Sequence, residues 1–185
     1  MSHPALALIG FGEAGQALAA GWRSEGIASI AAWDILFPEA QGGARLRAAA
    51  ERLGVRMGRD ARDAVRGADI VFSAVTAAAN LEAARQAAPG LSGAQFYVEL
   101  NSVAPNRKRE AAEIVGSRAR FVGMAVMAPV HPLRHKTPVL VSGPAAADIV
   151  PLLVRCGMDV QEVGSDVGAA AAIKMVRSVM VKGLG

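Results

Sequence analysis

The sequence predicts an α/β fold with a doubly wound, mainly parallel sheet, and three observations carry the prediction. Short runs rich in Val, Ile and Phe alternate with alanine-rich segments of helical spacing. The runs are apolar end to end, as strands covered on both faces are, rather than at every second residue. Hydrophobic residues make up 52% of the chain and aromatics 4%, so the core must be built from Ala, Val, Leu, Ile and Met. At 185 residues the chain suits one sizeable domain and is too short for two ordinary ones.

The elements follow in order. Strands are expected at ALALIG (5–10), SIAAWD (29–34), DIVFSAVT (69–76), QFYVEL (95–100), RFVGMAV (120–126) and PVLVSG (138–143), with GVRMG (54–58) as a short further one. Helices fall at 14–25, 39–53, 60–67, 80–88 and 106–116. Gly26, Gly54 and Gly90 stand where C-terminal caps end helices, and Pro105 where a first turn tolerates proline. Past residue 126 the alternation breaks. MAPVHPLRHKTP has three prolines and reads as a loop or an irregular crossover. After the strand and helix that follow come MDVQEVG and the segment SDVGAAAAIKMVRSVMVKGLG, helical and apolar on nearly every side. Such a helix needs partners all round it.

The first strand breaks into Gly10, Gly12 and Gly15, spaced G-x-G-x-x-G, just where a helix begins. Gly10 permits a tight turn, Gly12 lets backbone approach a pyrophosphate, and Gly15 lets the helix pack on its strand. The helix start then presents free N–H groups and a positive dipole end to phosphate. Asp34 ends the second run 19 residues after Gly15, where a carboxylate accepts both adenosine ribose hydroxyls. These features predict a Rossmann-type dinucleotide site; a glycine turn that binds nothing is the alternative. Phe11, Glu13 and Ala14 in the turn, with Val75, Thr76 and Asn101 at later strand ends, complete the candidate cofactor set. The acid at 34 repels a 2′-phosphate, which favours NAD; NADP stays possible, since Arg45 and Arg47 on the next helix are placed to turn toward one.

Composition excludes several classes. The net charge of +4 comes from 20 basic and 16 acidic residues spread along the chain, which describes a solvated surface. No basic cluster interleaved with aromatics suggests nucleic acid. The single cysteine, Cys156, rules out an intramolecular disulfide and a multi-cysteine metal site, and it reads as buried filler. No metal is expected. The N-terminal apolar run lacks a basic leader and a small-residue cleavage site, and no stretch approaches a membrane span. The expectation is a soluble, cytoplasmic protein without a membrane partner.

Over essentially its whole length the chain resembles the β-hydroxyacid dehydrogenases, the group of 3-hydroxyisobutyrate and 6-phosphogluconate dehydrogenases. LIGFGEAG matches the family's opening fingerprint, and VELNSVAP (98–105) is similar to its V-D-x-S-T-x-x-P segment, with Glu99, Asn101 and Ser102 at the acid, serine and threonine. GAAAAIKMVRS (168–178) resembles the family's G-x(5)-K-x-x-x-N helix, with Lys174 at the catalytic lysine and Ser178 in place of the asparagine. In the substrate loop, Met127, Ala128 and Pro129 replace the usual Ser-Gly-Gly, and proline has no N–H to donate. A divergent member with its own substrate is expected, the basic loop of His131, Arg134, His135 and Lys136 replacing the lost anion contacts or merely lying solvated.

The resemblance implies hydride transfer between a nicotinamide cofactor and a small hydroxy acid. Lys174 exchanges the hydroxyl proton, while Asn101, Ser102 and Ser178 position substrate or nicotinamide amide. Partial burial and the neighbouring Arg177 would both lower the lysine's pKa toward the range useful for proton transfer. Lys174 as part of a solvent stripe with Arg177 and Lys182 is the bland alternative. The resemblance also divides the chain into a dinucleotide-binding domain (1–165) and the start of an interdomain helix (166–185). That helix normally leads into an all-α second domain, absent from these residues. Its unpartnered apolar surface predicts a homodimer. Two rival readings are an imine or pyrroline reductase and a non-catalytic NAD-binding module.

Overall fold

In the computed structural model, which describes residues 2–184, eight strands form one sheet. They are β1 (Leu6–Ile9), β2 (Ile30–Trp33), β3 (Arg56–Met57), β4 (Ile70–Ser73), β5 (Phe96–Glu99), β6 (Arg120–Val126), β7 (Val139–Ser142) and β8 (Val160–Glu162). Their order is β3-β2-β1-β4-β5-β6-β7-β8. Every neighbouring pair is parallel except β6 and β7. The loop between those two carries Pro129, Pro132 and Pro138, which prevent the crossover helix that a parallel return needs, so the chain doubles back.

Among the described residues, seven α-helices cover the sheet: α1 (Glu13–Ser24), α2 (Gly43–Arg52), α3 (Ala61–Val65), α4 (Asn80–Ala87), α5 (Pro105–Val115), α6 (Ala146–Arg155) and α7 (Ala169–Gly183). Side chains alternate across the sheet with period two. Leu6 and Leu8 of β1 join one core with Leu18 and Trp22 of α1 and Ile149 and Leu153 of α6. Ala7 and Ile9 join a second with Val65 of α3, Ala84 of α4 and Val115 of α5. Trp22 is fully buried, its ring 4.7 Å from that of Phe72. Each buried Leu, Ile, Val or Phe among them contributes ~1.5–3 kcal/mol, so both layers are fastened independently to the sheet.

The doubly wound prediction is met, and several boundaries shift. The helix expected from 39 begins only at Gly43, because Arg47 donates to the carbonyls of Phe37 and Glu39 and holds that stretch as a turn. The helix expected over 60–67 shortens to Ala61–Val65, capped by Asp60, whose side chain accepts from the Asp63 amide at 2.7 Å. Gly90 is no left-handed cap; a Cβ there would meet the Arg62 carbonyl at 2.5 Å, so its small size serves close packing on α3. MDVQEVG supplies β8, which extends the sheet beyond β7. Cys156 is buried after α6, and burial pushes its thiol up to about 11.

The basic loop is mainly structural. His135 is buried against Gly21 of α1, and its Nε2 lies 2.8 Å from Glu25 Oε1. Lys136 Nζ lies 3.3 Å from the same carboxylate. The hydrogen bond from His135, then that from Lys136, holds Glu25 below the usual carboxylate range. Both side chains pair with Glu25 and so dock the loop on α1. That corrects the expectation for two of the four residues.

α7 starts against the α5 side of the sheet. Ser142 Oγ donates to the Val167 carbonyl and accepts from the Ala170 amide, both at 3.0 Å. Gly123 of β6 leaves room for that carbonyl, which a Cβ would strike. Beyond this start only Ala170 and Ala171 are buried, and Val176, Val179, Met180 and Val181 stand exposed. Among the described residues no helix is long and apolar enough to cross a membrane.

Candidate functional site

Strand order reverses between β1 and β4, and the crevice outside their carboxyl ends is where ligands of such sheets bind. Gly10 turns the chain there with φ +96°, and a Cβ would strike the Ala74 carbonyl. A Cβ at Gly15 would lie 2.5 Å from the Gly10 carbonyl oxygen, so α1 sits hard against the turn. At Gly12 the situation is opposite: a Cβ would have nothing within 4 Å. Gly12 is the N-cap of α1 and offers no side chain to the first-turn amides. Open space over uncapped helix amides fits a pyrophosphate.

Asp34 braces this turn. Its Oδ2 accepts from the Phe11 amide at 2.8 Å and its Oδ1 from the Leu36 amide at 2.9 Å. A carboxylate has about four lone-pair sites, so capacity remains for ribose hydroxyls. Val75 and Asn101 are also joined, the Val75 amide donating to Asn101 Oδ1 at 2.7 Å. Asn101 Nδ2 donates to Ser73 Oγ at 3.1 Å. Asn101 therefore links the ends of β4 and β5. Thr76 is exposed and leads into a single turn at Ala77–Ala79. Arg47 is spent on its own turn, whereas Arg45 lies exposed on α2.

A second cavity, about 310 Å³, lies between α7, β6 and the turn that follows β5. Asn101, Ser102, Lys108, Lys174 and Ser178 supply its polar lining, and Met124 and Met175 are among its apolar walls. Lys174 Nζ donates to Ser102 Oγ at 3.1 Å. Ser178 sits one turn further along α7. The fold thus brings Lys174, Ser102, Ser178 and Asn101 together from positions up to 77 apart in sequence (178 − 101). Burial holds Lys174 below the usual lysine range. Arg177, expected to share in that effect, lines a different depression with Ile173, Val176 and Met180 on the outer side of α7. Burial alone lowers the lysine.

The residue that sequence reading missed is Lys108. It is 1% exposed, and its Nζ lies 3.1 Å from Oε2 of fully buried Glu99. Burial raises the Glu99 carboxyl and lowers the Lys108 ammonium, each relative to its usual range. In the run NRKRE the lysine looks like one charge of a solvated face. The available signal was spacing: Lys108, Ala111 and Val115 form the inward stripe of α5. Glu99, matched by resemblance to the family's acid, faces this lysine inside the protein.

Residues 5–118, well over half of the chain, match the family of the NADP oxidoreductase coenzyme F420-dependent type. The chain belongs to that oxidoreductase family. An uncharacterized 28.5 kDa protein of Methanothermus fervidus is 32% identical over 135 residues, covering 73% of this chain and 51% of that protein. A conserved hypothetical protein from Sinorhizobium meliloti has a solved structure with TM-score 0.92 and 40% identity, over 100% of this chain and 61% of that one. Another solved protein, described as of unknown function and similar in structure to 3-hydroxyacid dehydrogenases, gives TM-score 0.84 at 30% identity, over 97% of this chain and 65% of that one. An imine reductase from Myxococcus stipitatus, solved with NADP+, shares the fold at TM-score 0.77 and 24% identity, over 98% and 62%. The chain spans about half the length of the curated relative that it matches. The oxidoreductase family and the likeness to hydroxyacid dehydrogenases agree with the resemblance read from the motifs.

Proposed function

We propose that this chain is the cofactor-binding part of an NAD(P)-dependent dehydrogenase that exchanges a hydride with a small hydroxy acid. The observation that carries the reading is the pocket in which a half-buried lysine meets a serine hydroxyl, beside a glycine turn shaped for pyrophosphate. The bound nicotinamide supplies the carbon that accepts or returns the hydride. Gly12 and the first-turn amides of α1 hold the pyrophosphate, with Gly10 and Gly15 shaping the turn. Asp34 accepts from the ribose hydroxyls; Glu13, Ala14, Val75 and Thr76 line the crevice, whereas the ring of Phe11 is buried in the core and only its backbone borders the turn. Lys174 takes the hydroxyl proton as the hydride leaves and returns it in the reverse direction. Ser102, Asn101 and Ser178 orient the substrate or the carboxamide.

Residues 1–165 form the dinucleotide-binding domain in this reading. Residues 166–185 begin a helix toward an all-α second domain, for which the greater length of the relatives leaves room. The proposed setting is cytoplasmic. Incubating the protein with NAD or NADP and a panel of small hydroxy acids should yield reduced cofactor. Turnover of cyclic imines instead would favour an imine reductase, a second reading supported by the loss of one loop amide at Pro129. Cofactor binding without turnover of either class would leave a non-catalytic nucleotide module.

NAD is the proposed cofactor, with NADP as the alternative. Asp34→Asn keeps one oxygen to accept from the Phe11 amide and removes the charge. Hydrogen bonds to a charged group are worth ~1.5–3 kcal/mol, so NAD affinity should fall about tenfold or more by titration calorimetry. NADP affinity should fall less, because a repulsion disappears with the charge. An equal loss for both would count against Asp34 as the ribose acceptor.

The exposed apolar side of α7 supports a homodimer. Sedimentation equilibrium should give twice the 19.0 kDa chain mass. Val179→Glu, at a residue 70% exposed, should shift that mass toward the monomer with the helical content by circular dichroism unchanged. A monomer at high concentration with α7 still helical would oppose the assignment.

A further inference from the structure

We propose that Lys108 is a positioning residue: its buried ammonium fastens the turn after β5 to β6 and so presents Asn101 and Ser102 to the pocket of Lys174. The inference rests on reading that pocket as the reaction site. Lys108 Nζ donates to three backbone carbonyls, those of Glu99 at 2.8 Å, Asn101 at 2.9 Å and Met124 at 2.9 Å. Glu99 ends β5, Asn101 lies in the following turn, and Met124 belongs to the neighbouring β6. One nitrogen therefore ties the end of β5, the turn between β5 and α5, and the neighbouring strand β6.

The geometry demands the charged form. Three accepting carbonyls need three N–H bonds, which an ammonium has and a neutral amine lacks. Glu99 Oε2 at 3.1 Å compensates the charge. The titratable groups bearing on the pair are Lys174 on α7 and Tyr97 on β5. With every proton of Lys108 committed to backbone, none remains for substrate. It positions and does not transfer protons.

Glu99 completes the grip. Its Oε1 accepts from the Asn101 amide at 2.6 Å while Lys108 holds the Asn101 carbonyl. Asn101 is thus held on both sides, and its side chain is aimed at the Val75 amide and Ser73. The next residue, Ser102, meets Lys174. A methionine would fill the same space without the cost of burying a charge, so the lysine's contribution is to the geometry of the turn rather than to packing.

Two variants of the full chain test this. Lys108→Met leaves Glu99 buried without its counter-ion and is expected to destabilise the protein. Glu99→Gln/Lys108→Met removes both charges and keeps the volumes, so it is the variant to measure. Amide hydrogen exchange at Val103, which donates to the Asn101 carbonyl, should quicken at least about tenfold in the double variant, while Phe72 and Val98 in the strands keep wild-type protection. NAD affinity should stay within about twofold of wild type, and kcat on a hydroxy acid that the wild type turns over should fall about tenfold or more with KM for NAD unchanged. Wild-type exchange at Val103, or exchange raised equally in all strands, would overturn the proposal. If the wild type turns over no panel compound but local loosening is seen, the positioning role stands and the reading of the reaction fails.

Discussion

Lys174→Ala should lower turnover by about 10²–10⁴-fold and leave NAD affinity near that of the wild type, because general acid–base groups contribute on that scale. The pocket gives the expectation its geometry: the ammonium reaches Ser102 Oγ at 3.1 Å and makes no contact with the glycine turn. The pH profile adds a signature. A base must be unprotonated, so hydroxy-acid oxidation rises as pH passes upward through the lysine's pKa. Burial disfavours the ammonium, so this limb should lie below the ordinary lysine range and vanish in the alanine variant. Lys174→Arg should fail nearly as badly, since a guanidinium does not release its proton near neutral pH. An arginine variant that kept most of the activity would reduce Lys174 to a charge that attracts substrate.

Substitutions at Gly10 and Gly12 should separate folding from cofactor binding. Gly10→Ala combines a positive φ with a Cβ driven into the Ala74 carbonyl, and backbone does not yield as a flexible side chain does. Strain of this kind costs on the order of 1–3 kcal/mol for the conformation alone, with the clash added, so the melting temperature should drop by several degrees or more. At Gly12 φ is −77° and a Cβ meets nothing. Gly12→Ala should therefore melt like the wild type. Its methyl would still project into the space offered to the pyrophosphate, and NAD affinity should fall about tenfold or more. Thermal melts and cofactor titrations on both variants give the comparison. Loss of stability in both, or of binding in neither, would remove the phosphate role from this turn.

Much of this fold is legible in the residues because local and global preferences agree. Strands of a two-sided parallel sheet must be apolar throughout, and β1, β4 and β5 are recognisable as such. The turn at Gly10, Gly12 and Gly15 is legible for the same reason: a pyrophosphate site imposes backbone requirements that few other residues meet. The boundaries of α2 and α3 were not, because Arg47 and Asp60 set them through single hydrogen bonds that no periodicity records. The basic loop misled because a charged residue reads as solvated until its partner is known. Glu25, the partner of His135, lies 110 residues away.

The sequence by itself determined the layered α/β class, the glycine turn with its acid at 34, and the candidacy of Lys174. These depend on residue type at short spacing. Only the tertiary structure decided that β7 runs against the sheet, that Asp34 braces the turn it was expected to serve, and that Lys108 and Glu99 are joined in the interior. The reason is physical. A buried ion pair is made by two strongly polar residues, each of which alone signals surface. What reverses the signal is the convergence on one nitrogen of three carbonyls, from two strands and the turn after β5, and that convergence does not exist until the sheet has formed.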